Sequence, residues 1–468
     1  MASFLGPIEG VALLCTSQTC RLAFEPILYW HDANSSNPAA LLWAAGEGKV
    51  STAEKALAAS RGDCAPQGID GSRPPSIAER ALYRASAEGY DSVVQLLLNK
   101  NVAVNAQGGE LGTALHAASD RGHKKVVQTL LDKNANVNAQ GGRYGTALQA
   151  ASLAGHEEVV QLLLDKNADI NAQGGTYGTA LRAASDAGHE KVVQLLLDKN
   201  ADVNAQGGRY GGTALQAASV EGHEKVVQLL LDKNANVNAQ GGELGTALQA
   251  ASDGGHEKIV QLLLDKNANV NAQGGTYGTA LRAASFWGHE DTVQLLLDRN
   301  ADINDHGGEL GTALQAASFE GHEKVVQLLL DKNADVNAPG GEFGTALQAA
   351  SAEGHEKVVQ LLLDKNADVN APGGEFGTAL QAASAEGHEK VVQLLLDKNA
   401  DVNAPGGEFG TALQAASAEG HEKVVQLLLD KNADVNAPGG EFGTALQAAS
   451  DRGHEKVVQL LLGTGARG

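Results

Sequence analysis

The side chains with catalytic potential recur in one short pattern, His-Glu-Lys-Val-Val, in which a histidine precedes a glutamate. Two histidines four residues apart on a helix, with a glutamate directly after the first, can bind zinc while the glutamate acts as a general base. In the copy that begins at His355, Val359 stands where the second histidine is required, and every other copy also has valine there. The pattern therefore does not predict a zinc site.

Three other features match ligand sites only in part. In the segment Gly-Glu-Gly-Lys, Trp43 replaces the first glycine of a phosphate loop, and Val50 follows the lysine where serine or threonine is required. Cys15 and Cys20 have only His31 as a further nearby ligand, which is too few for a zinc site. The Gly-Gly loops lack the nine-residue spacing and the aspartate of calcium-binding repeats. We therefore expect no metal, no cofactor and no enzymatic activity.

The composition restricts the classes of partner. The chain has 468 residues, a formal net charge of -21 and no run of lysine and arginine, which argues against nucleic acid and anionic membranes as partners. Three cysteines cannot supply a disulfide framework. The first residues lack the basic start and apolar core of a secretory signal, and no apolar run approaches the ~20 residues that span a bilayer. We expect a soluble protein of the cytoplasm or the nucleus.

A block of about 33 residues recurs eleven times from Gly112 to the end of the chain. The helices and loops of this block position the side chains of the repeats. In a chain built from one such unit, each unit contacts only its neighbours. A catalytic site would have to be assembled from almost identical copies. The period therefore favours a binding function over catalysis.

Each copy predicts two short helices and a projecting loop. Thr345 can cap a first helix through its hydroxyl, and Gly354 ends that helix. A second helix follows from His355 and ends near Asn366, which can adopt the left-handed conformation that terminates helices. Residues 367–376 are rich in turn formers and predict a hairpin-like loop. Because helices of this length are marginal in water, we expect stacking between repeats to stabilise them.

The segments Thr-Ala-Leu-Gln-x-Ala, Gly-His, Val-Val-x-Leu-Leu-Leu and Asn-Ala-Asp-Val-Asn-Ala closely resemble the ankyrin repeat. The resemblance implies an all-α solenoid of stacked helix-turn-helix units with projecting hairpin loops, and a structural role for the Gly-His histidines. Alanine replaces the family's proline after the threonine, and glutamine usually replaces its histidine, which His116 retains. The loop variant Asn-Ala-Gln-Gly-Gly also resembles repeats of filamentous fungi, which often follow a NACHT-type nucleotide-binding domain.

The match to this pattern divides the chain into four parts. Residues 1–39 form an N-terminal segment that is either a cap or the remnant of an upstream domain. Residues 40–78 contain a divergent ankyrin-like unit and a Pro/Gly-rich connection, residues 79–111 a degenerate repeat, and residues 112–468 the eleven regular repeats. The last copy has the apolar residues of an internal repeat, so we expect an exposed apolar face there that frays, self-associates or is covered by a continuation of the array.

The copies differ in a few columns: the pair at the loop tip, the pair after the first helix, and the residue after the helical leucine. In ankyrin proteins the first two lie on the concave surface that usually binds partners. Aromatic residues and arginines collect in these columns, and such side chains often dominate binding energy. The predicted partner-binding residues are Arg143, Tyr144, Tyr177, Arg182, Arg209, Tyr210, Tyr277, Arg282, Phe286, Trp287 and Phe319. Alternatively, the loop aromatics pack within their own hairpins.

The arginines among these residues favour a protein partner that is acidic and partly apolar. We therefore predict a non-enzymatic module that binds a protein through the concave face of an ankyrin solenoid. One alternative is the ligand-sensing portion of a fungal NACHT-type recognition or incompatibility protein. Another is a scaffold or inhibitor of an enzyme.

Overall fold

The computed structural model of the protein describes residues 38–59, 75–209, 211–307, 310–441 and 443–467. Residues 1–37 of the predicted N-terminal segment and most of the Pro/Gly-rich connection lie outside the described residues, and so does Tyr210. The chain divides into two units, Met1–Asn236 and Val237–Gly468, which are described separately as unit 1 and unit 2.

Unit 1 consists of pairs of helices. Each pair forms one repeat, in which we call the first helix inner and the second helix outer. A two-stranded antiparallel hairpin, β1 (Gln107–Gly109) and β2 (Gly112–Thr113), precedes the third pair. The helices of unit 1 are α1 (Pro38–Gly46), α2 (Val50–Ala59), α3 (Ile77–Ala87), α4 (Asp91–Asn99), α5 (Ala114–Asp120), α6 (Lys124–Asp132), α7 (Ala147–Leu153), α8 (Glu157–Asp165), α9 (Ala180–Asp186), α10 (Glu190–Asp198), α11 (Ala214–Val220) and α12 (Glu224–Asp232).

Unit 2 continues the same pairing. Within each unit, inner helices pack against inner helices of the adjacent repeats, and outer helices against outer helices. The helices of unit 2 are α13 (Ala247–Asp253), α14 (Glu257–Asp265), α15 (Ala280–Phe286), α16 (Glu290–Asp298), α17 (Ala313–Phe319), α18 (Glu323–Asp331), α19 (Ala346–Ala352), α20 (Glu356–Asp364), α21 (Ala379–Ala385), α22 (Glu389–Asp397), α23 (Ala412–Glu419), α24 (Glu422–Asp430), α25 (Ala445–Asp451) and α26 (Glu455–Gly463). Each unit is thus the all-α solenoid of helix-turn-helix repeats that the sequence predicts.

The inner helices begin at a reciprocal cap. The hydroxyl of Thr345 accepts a hydrogen bond from the amide of Gln348 at 3.3 Å, and the side-chain carbonyl of Gln348 accepts one from the amide of Thr345 at 2.6 Å. This capping box satisfies two amides that a helix start would otherwise leave unpaired. The predicted threonine cap is confirmed, and the glutamine that replaces the family's histidine completes it.

Two residues with positive φ separate the elements of a repeat. Gly354 follows the inner helix with φ 75°, and Asn366 follows the outer helix with φ 67°. Only glycine and, less readily, asparagine adopt this region without strain. A Cβ atom at Gly354 would also lie 2.5 Å from Nδ1 of His388 in the next repeat, so glycine is required there by contact as well as by conformation.

The core lies between the two layers of helices and between successive repeats. In α20, Val358, Val359 and Leu362 are buried, whereas Leu361 and Leu363 are half-buried. Full burial of such a side chain stabilises by roughly 1.5–3 kcal/mol. Because a nine-residue helix is shorter than the roughly 12–15 residues that persist alone, these contacts between repeats hold the helices in place.

The loops stack on one another along each unit. The amide of Thr276 donates to the carbonyl of Glu243 in the preceding loop at 2.9 Å. The loop tips lie against the ends of the inner helices, since the rings of Tyr277 and Phe286 are 5.2 Å apart. We call this surface, formed by the loop-tip pairs and the pairs after the inner helices, the inner face of a unit. Among the described residues, no helix is long and apolar enough to cross a bilayer.

Candidate functional site

The residue three positions after the capping threonine joins consecutive repeats. Gln315 is buried, and its Oε1 accepts from the amide of Thr312 at 2.5 Å. Its Nε2 donates to the carbonyls of Gly344 at 2.6 Å and Ala338 at 3.0 Å, which belong to the loop of the next repeat. This side chain therefore anchors the next loop from beneath and does not reach the surface.

Arg282 occupies the same position in its repeat and is only 2% exposed. Its Nη1 donates to the carbonyls of Gly307 at 2.6 Å and Gly311 at 2.8 Å, and its Nη2 lies 3.7 Å from the carboxylate of Asp305. Asp305 stands where the next loop has Ala338. The larger, charged side chain is thus accommodated by an acidic residue in the loop that it supports.

Arg182 is also covered, with 4% of its surface exposed. Its Nη1 donates to the carbonyl of Tyr177 at 2.9 Å, and burial lowers the pKa of its guanidinium. The sequence predicts partner contacts for Arg182 and Arg282. Because both guanidiniums are buried against loop carbonyls, we interpret both arginines as residues that position the inner face.

The exposed arginines of unit 1 lie at the loop tips. Arg143 is exposed, donates to the hydroxyl of the buried Tyr144, and has its Cζ 4.5 Å from the centre of that ring. The amide of Thr176 donates to the carbonyl of Arg143 at 2.8 Å, and the amide of Arg209 donates to the carbonyl of Thr176 at 2.8 Å. Arg209 is exposed and Tyr177 half-buried. The loop tips of unit 1 therefore retain two exposed positive charges.

Three aromatic side chains of unit 2 form one cluster. The ring centre of Phe286 lies 5.2 Å from that of Tyr277 and 5.4 Å from that of Trp287, and Tyr277 and Trp287 are 6.4 Å apart. These separations are typical of favourable aromatic pairs. We call Tyr277, Phe286 and Trp287 the aromatic cluster. The structure thus brings together three of the predicted site residues from one loop tip and one inner-helix end.

Trp287 is the most exposed member of the aromatic cluster, with half of its surface in solvent. Its Nε1 donates to Oδ1 of Asp253 at 2.7 Å, across one repeat. Burial raises the pKa of Asp253, and the hydrogen bond from Trp287 opposes that rise. The carboxylate fixes the orientation of the indole, and the indole ring remains open to contact.

A pocket of about 170 Å³ lies beside the aromatic cluster. It is lined by Glu243, Leu244, Gln249, Asp253, Thr276 and Tyr277, together with the glycines of the loop that Gln249 holds. The Nε2 of Gln249 is engaged by loop carbonyls. The ionisable residues of the lining, apart from Tyr277, are therefore two acidic residues, Glu243 and Asp253.

A second aromatic pair lies further along unit 2. Phe319, at the end of an inner helix, has its ring centre 4.8 Å from that of Phe343 in the next loop, and both are half-buried. For Phe343, the contact fits packing against a neighbouring element. Phe319 joins this pair, and the structure shows no ring contact between it and the aromatic cluster.

The inner face of unit 2 is acidic. From Glu243 to Glu441 the loop-tip and helix-end pairs contain no lysine or arginine. A hydrogen bond with Glu441 raises the pKa of Glu408, and so do the negative charges of Glu441 and Glu375. The carboxylates in the described part of these pairs are Glu243, Asp253, Glu320, Glu342, Glu353, Glu375, Glu386, Glu408, Glu419 and Glu441.

The sequence-based list omits Asp253 and Glu243. A signal for Asp253 was present, because it occupies the variable pair after an inner helix and lies one repeat before Phe286 in the same column. The repeat register therefore places it beside the Phe286–Trp287 pair. Side chains in the same column of consecutive repeats are neighbours across one period, and that neighbourhood is the signal in the sequence.

The repeated histidines are structural. The Nε2 of His355 hydrogen-bonds to the carbonyl of Phe319 at 2.8 Å, and that of His388 to the carbonyl of Ala352 at 2.8 Å. Each histidine thus caps the end of the inner helix in the repeat before its own, which is the structural role that the resemblance implies. In the described part of the chain, no group of three or more His, Cys, Asp or Glu side chains could hold a metal ion.

Each unit is a stack of helix pairs joined by loops, which is the architecture of helical-repeat proteins. A family model described as ankyrin repeats (3 copies) matches residues 82–174, 173–241, 239–307, 314–406, 373–438 and 405–467. The chain belongs to the ankyrin-repeat family, whose repeats are generally protein–protein interaction modules. A search of curated proteins finds no match to the chain.

Proposed function

We propose that the protein binds a protein partner through the inner face of its repeats and catalyses no reaction. The observation that carries this proposal is the aromatic cluster, in which Trp287 keeps half of its surface in solvent. Corresponding copies have Ala352-Glu353 or Asp253-Gly254 in place of Phe286-Trp287. The fold therefore does not require aromatic residues there, and exposed Trp and Tyr side chains are common anchors of interfaces.

The test replaces the cluster without disturbing the fold. Phe286→Ala combined with Trp287→Glu converts this copy to the Ala-Glu pair that the repeat at Ala352-Glu353 already contains. We expect capture of a partner by the intact chain to fall at least about tenfold, because anchor residues contribute about 2 kcal/mol or more. Partner capture is quantified by affinity purification and mass spectrometry, and folding by urea unfolding.

Lys357→Ala is the control, because Lys357 lies on the outer helix and its side chain is mostly exposed. It should leave both capture and unfolding unchanged. Equal capture by the wild type and the Phe286→Ala/Trp287→Glu variant, with an unchanged unfolding midpoint, would remove the aromatic cluster from the proposed interface.

Two finer descriptions of the function are supported by features of the sequence. Their resemblance to fungal arrays supports a ligand-sensing role within a NACHT-type protein of the cytoplasm or nucleus, and coding sequence for a phosphate-loop domain upstream of Met1 would be its test. The absence of a catalytic motif in the repeats also fits a scaffold or an enzyme inhibitor. Loss of a captured enzyme's activity on binding would distinguish inhibition from scaffolding.

Self-association is a further proposal for the last repeat. Leu462 is 55% exposed and Val458 is half-buried, whereas Leu429 one repeat earlier is half-buried and Val425 is buried. Association through this surface should be weakened by Leu462→Glu. Sedimentation velocity over a concentration series would measure it, and a concentration-independent monomer for the unmodified chain would exclude it.

A further inference from the structure

We propose that the inner face of unit 2 binds a basic segment of the protein partner, and that the pocket beside the aromatic cluster takes one lysine or arginine side chain of that segment. This inference rests on the proposed function and names the chemistry of the partner. The arginines in the sequence favour an acidic partner, whereas the inner face of unit 2 favours a basic one. Three observations support it: the pocket, the burial of Arg282, and the distribution of carboxylates.

The pocket has the chemistry of a cation site. Asp253 uses Oδ1 to accept from Trp287, which leaves its other oxygen able to accept from an ammonium or guanidinium group. Burial raises the pKa of Asp253, so this carboxylate has lost part of the solvation that a bound cation would replace. Glu243, at the tip of the preceding loop, is a second acidic residue of the lining. The structure offers a cation two acceptors.

The aromatic cluster supplies the second component of the site. Tyr277 lines the pocket, and the Trp287 ring is 6.4 Å from the ring of Tyr277. A cation close to the face of such rings is attracted by about 0.5–2 kcal/mol, and the methylene groups of lysine or arginine pack on the same rings. A volume of about 170 Å³ suits a single side chain of this kind.

Arg282 does not neutralise this surface. Its guanidinium is covered by the loop whose carbonyls it binds, and its nearest carboxylate is that of Asp305. A partner therefore meets the carboxylates of the pocket and not this arginine. An acidic segment would be repelled by Asp253 and Glu243 at short range.

Beyond the pocket and the Phe286-Trp287 pair, carboxylates recur at the described loop tips and inner-helix ends of unit 2, and the last of the helix-end glutamates, Glu419, is paired with Arg452. At the loop tips the carboxylates are close enough to interact, since a hydrogen bond with Glu441 raises the pKa of Glu408 and the negative charges of Glu441 and Glu375 raise it further. Positive charges of a bound segment would relieve this repulsion. Half-buried phenylalanines, such as Phe376 and Phe409, lie next to these carboxylates in the loops. A basic segment with interspersed apolar residues complements both features.

The experiment selects a random 12-residue peptide library on the intact chain at about 50 mM salt. We expect the enriched peptides to carry a net positive charge and at least one lysine or arginine. Affinities of synthetic copies are then measured by fluorescence anisotropy. Replacing the lysines and arginines of the best peptide with glutamine should weaken binding about tenfold or more, and raising the salt to about 300 mM should weaken it as well.

Asp253→Asn tests the pocket, because asparagine can still accept from Trp287 but carries no charge. It should weaken the basic peptides about fivefold or more, and Glu243→Gln should act in the same direction. Asp186→Asn is the matched control, since Asp186 lies in the same column of unit 1, where burial also raises its pKa. That variant should bind the peptides like the unmodified chain.

The outcomes separate this inference from the proposed function. Neutral or acidic enriched peptides whose binding is lost in Phe286→Ala/Trp287→Glu would overturn the basic partner and leave the proposed function standing. Basic peptides that bind Asp253→Asn and Glu243→Gln at unchanged affinity would overturn the pocket assignment. Enrichment unaffected by Phe286→Ala/Trp287→Glu, or no enrichment at all, would count against both.

Discussion

Gln348 connects two consecutive repeats, and we expect Gln348→Leu to loosen that connection. Its Oε1 accepts from the amide of Thr345 at 2.6 Å. Its Nε2 donates to the carbonyls of Gly373 at 2.9 Å and Ala371 at 3.2 Å, and also to that of Gly377. Leucine fills a similar buried volume and can form none of these hydrogen bonds.

The size of the effect follows from the number of bonds. One side-chain amide donates at most two hydrogen bonds at once, so the substitution removes one accepted and two donated bonds. At about 1 kcal/mol each, the loss is about 3 kcal/mol. The carbonyl of Gly377 also accepts from the amide of Gly373 at 3.0 Å and so keeps a partner. We therefore expect a cost of about 2–4 kcal/mol.

Gln348→His should cost much less than Gln348→Leu, because the chain contains the same arrangement with histidine. Nδ1 of His116 lies 2.8 Å from the hydroxyl of Thr113, and its Nε2 lies 3.0 Å from the carbonyl of Gly145 in the following loop. Histidine thus retains the cap and one bond to the next loop.

Native-state amide hydrogen exchange of the segment 345–377, together with urea unfolding of the whole chain, measures the effect. Exchange is needed because each repeat contacts only its neighbours, so a local loss need not appear in global unfolding. Gln360→Leu is the control, since Gln360 is half-buried on the outer helix and its hydrogen bond to Asp364, at 2.7 Å, is solvent-exposed and stays within its own repeat. A Gln348→Leu effect no larger than this control, or a histidine variant as unstable as the leucine variant, would refute the reasoning.

Three further predictions concern stability. Burial lowers the pKa of His116 below its ordinary value of 6.5, so the unfolded chain takes up a proton at this imidazole at higher pH than the folded chain does. The stability that the neutral imidazole contributes is therefore fully present above about pH 6.5 and is lost as the pH falls below it. His116→Gln should remove that part of the pH dependence of the unfolding free energy in urea titrations. The hydroxyl of Ser351 is buried without a hydrogen-bond partner among the described residues, so Ser351→Ala should be neutral or stabilising by up to ~1 kcal/mol. Ser450→Ala should be destabilising by comparison, because the Ser450 hydroxyl donates to a helix carbonyl. A lower urea midpoint for Ser351→Ala than for Ser450→Ala would contradict this. Lys365 lies 2.8 Å from Asp331, but both side chains are largely exposed, so Lys365→Ala should leave the urea midpoint unchanged within error at low and high salt.

The local features of a repeat could be predicted from sequence because they depend on nearby residues. The Thr345 cap, the reversal at Gly354 and the left-handed Asn366 each involve contacts within three or four positions or the conformational preference of one residue type. The structural role of the histidines followed from the family resemblance and from their repetition in every copy.

The surface could be predicted only in part. The repeat register identifies the loop-tip and helix-end columns that contain Tyr277, Phe286 and Trp287, and the structure adds that their rings are in contact. It does not reveal that Arg182 and Arg282 are buried. Arginine is usually exposed, and only the carbonyls of a loop about 25 to 29 residues away explain why Arg282 is not.

The sequence by itself determined the repeat, its two helices, its turns and the columns in which the copies differ, since these follow from a 33-residue period and from short-range preferences. Tertiary structure decided which of the variable side chains reach solvent. In unit 2 stacking covers Arg282 with the next loop and places Asp253 against Trp287. The charge that a partner meets is therefore set by contacts between repeats, and in unit 2 it is negative.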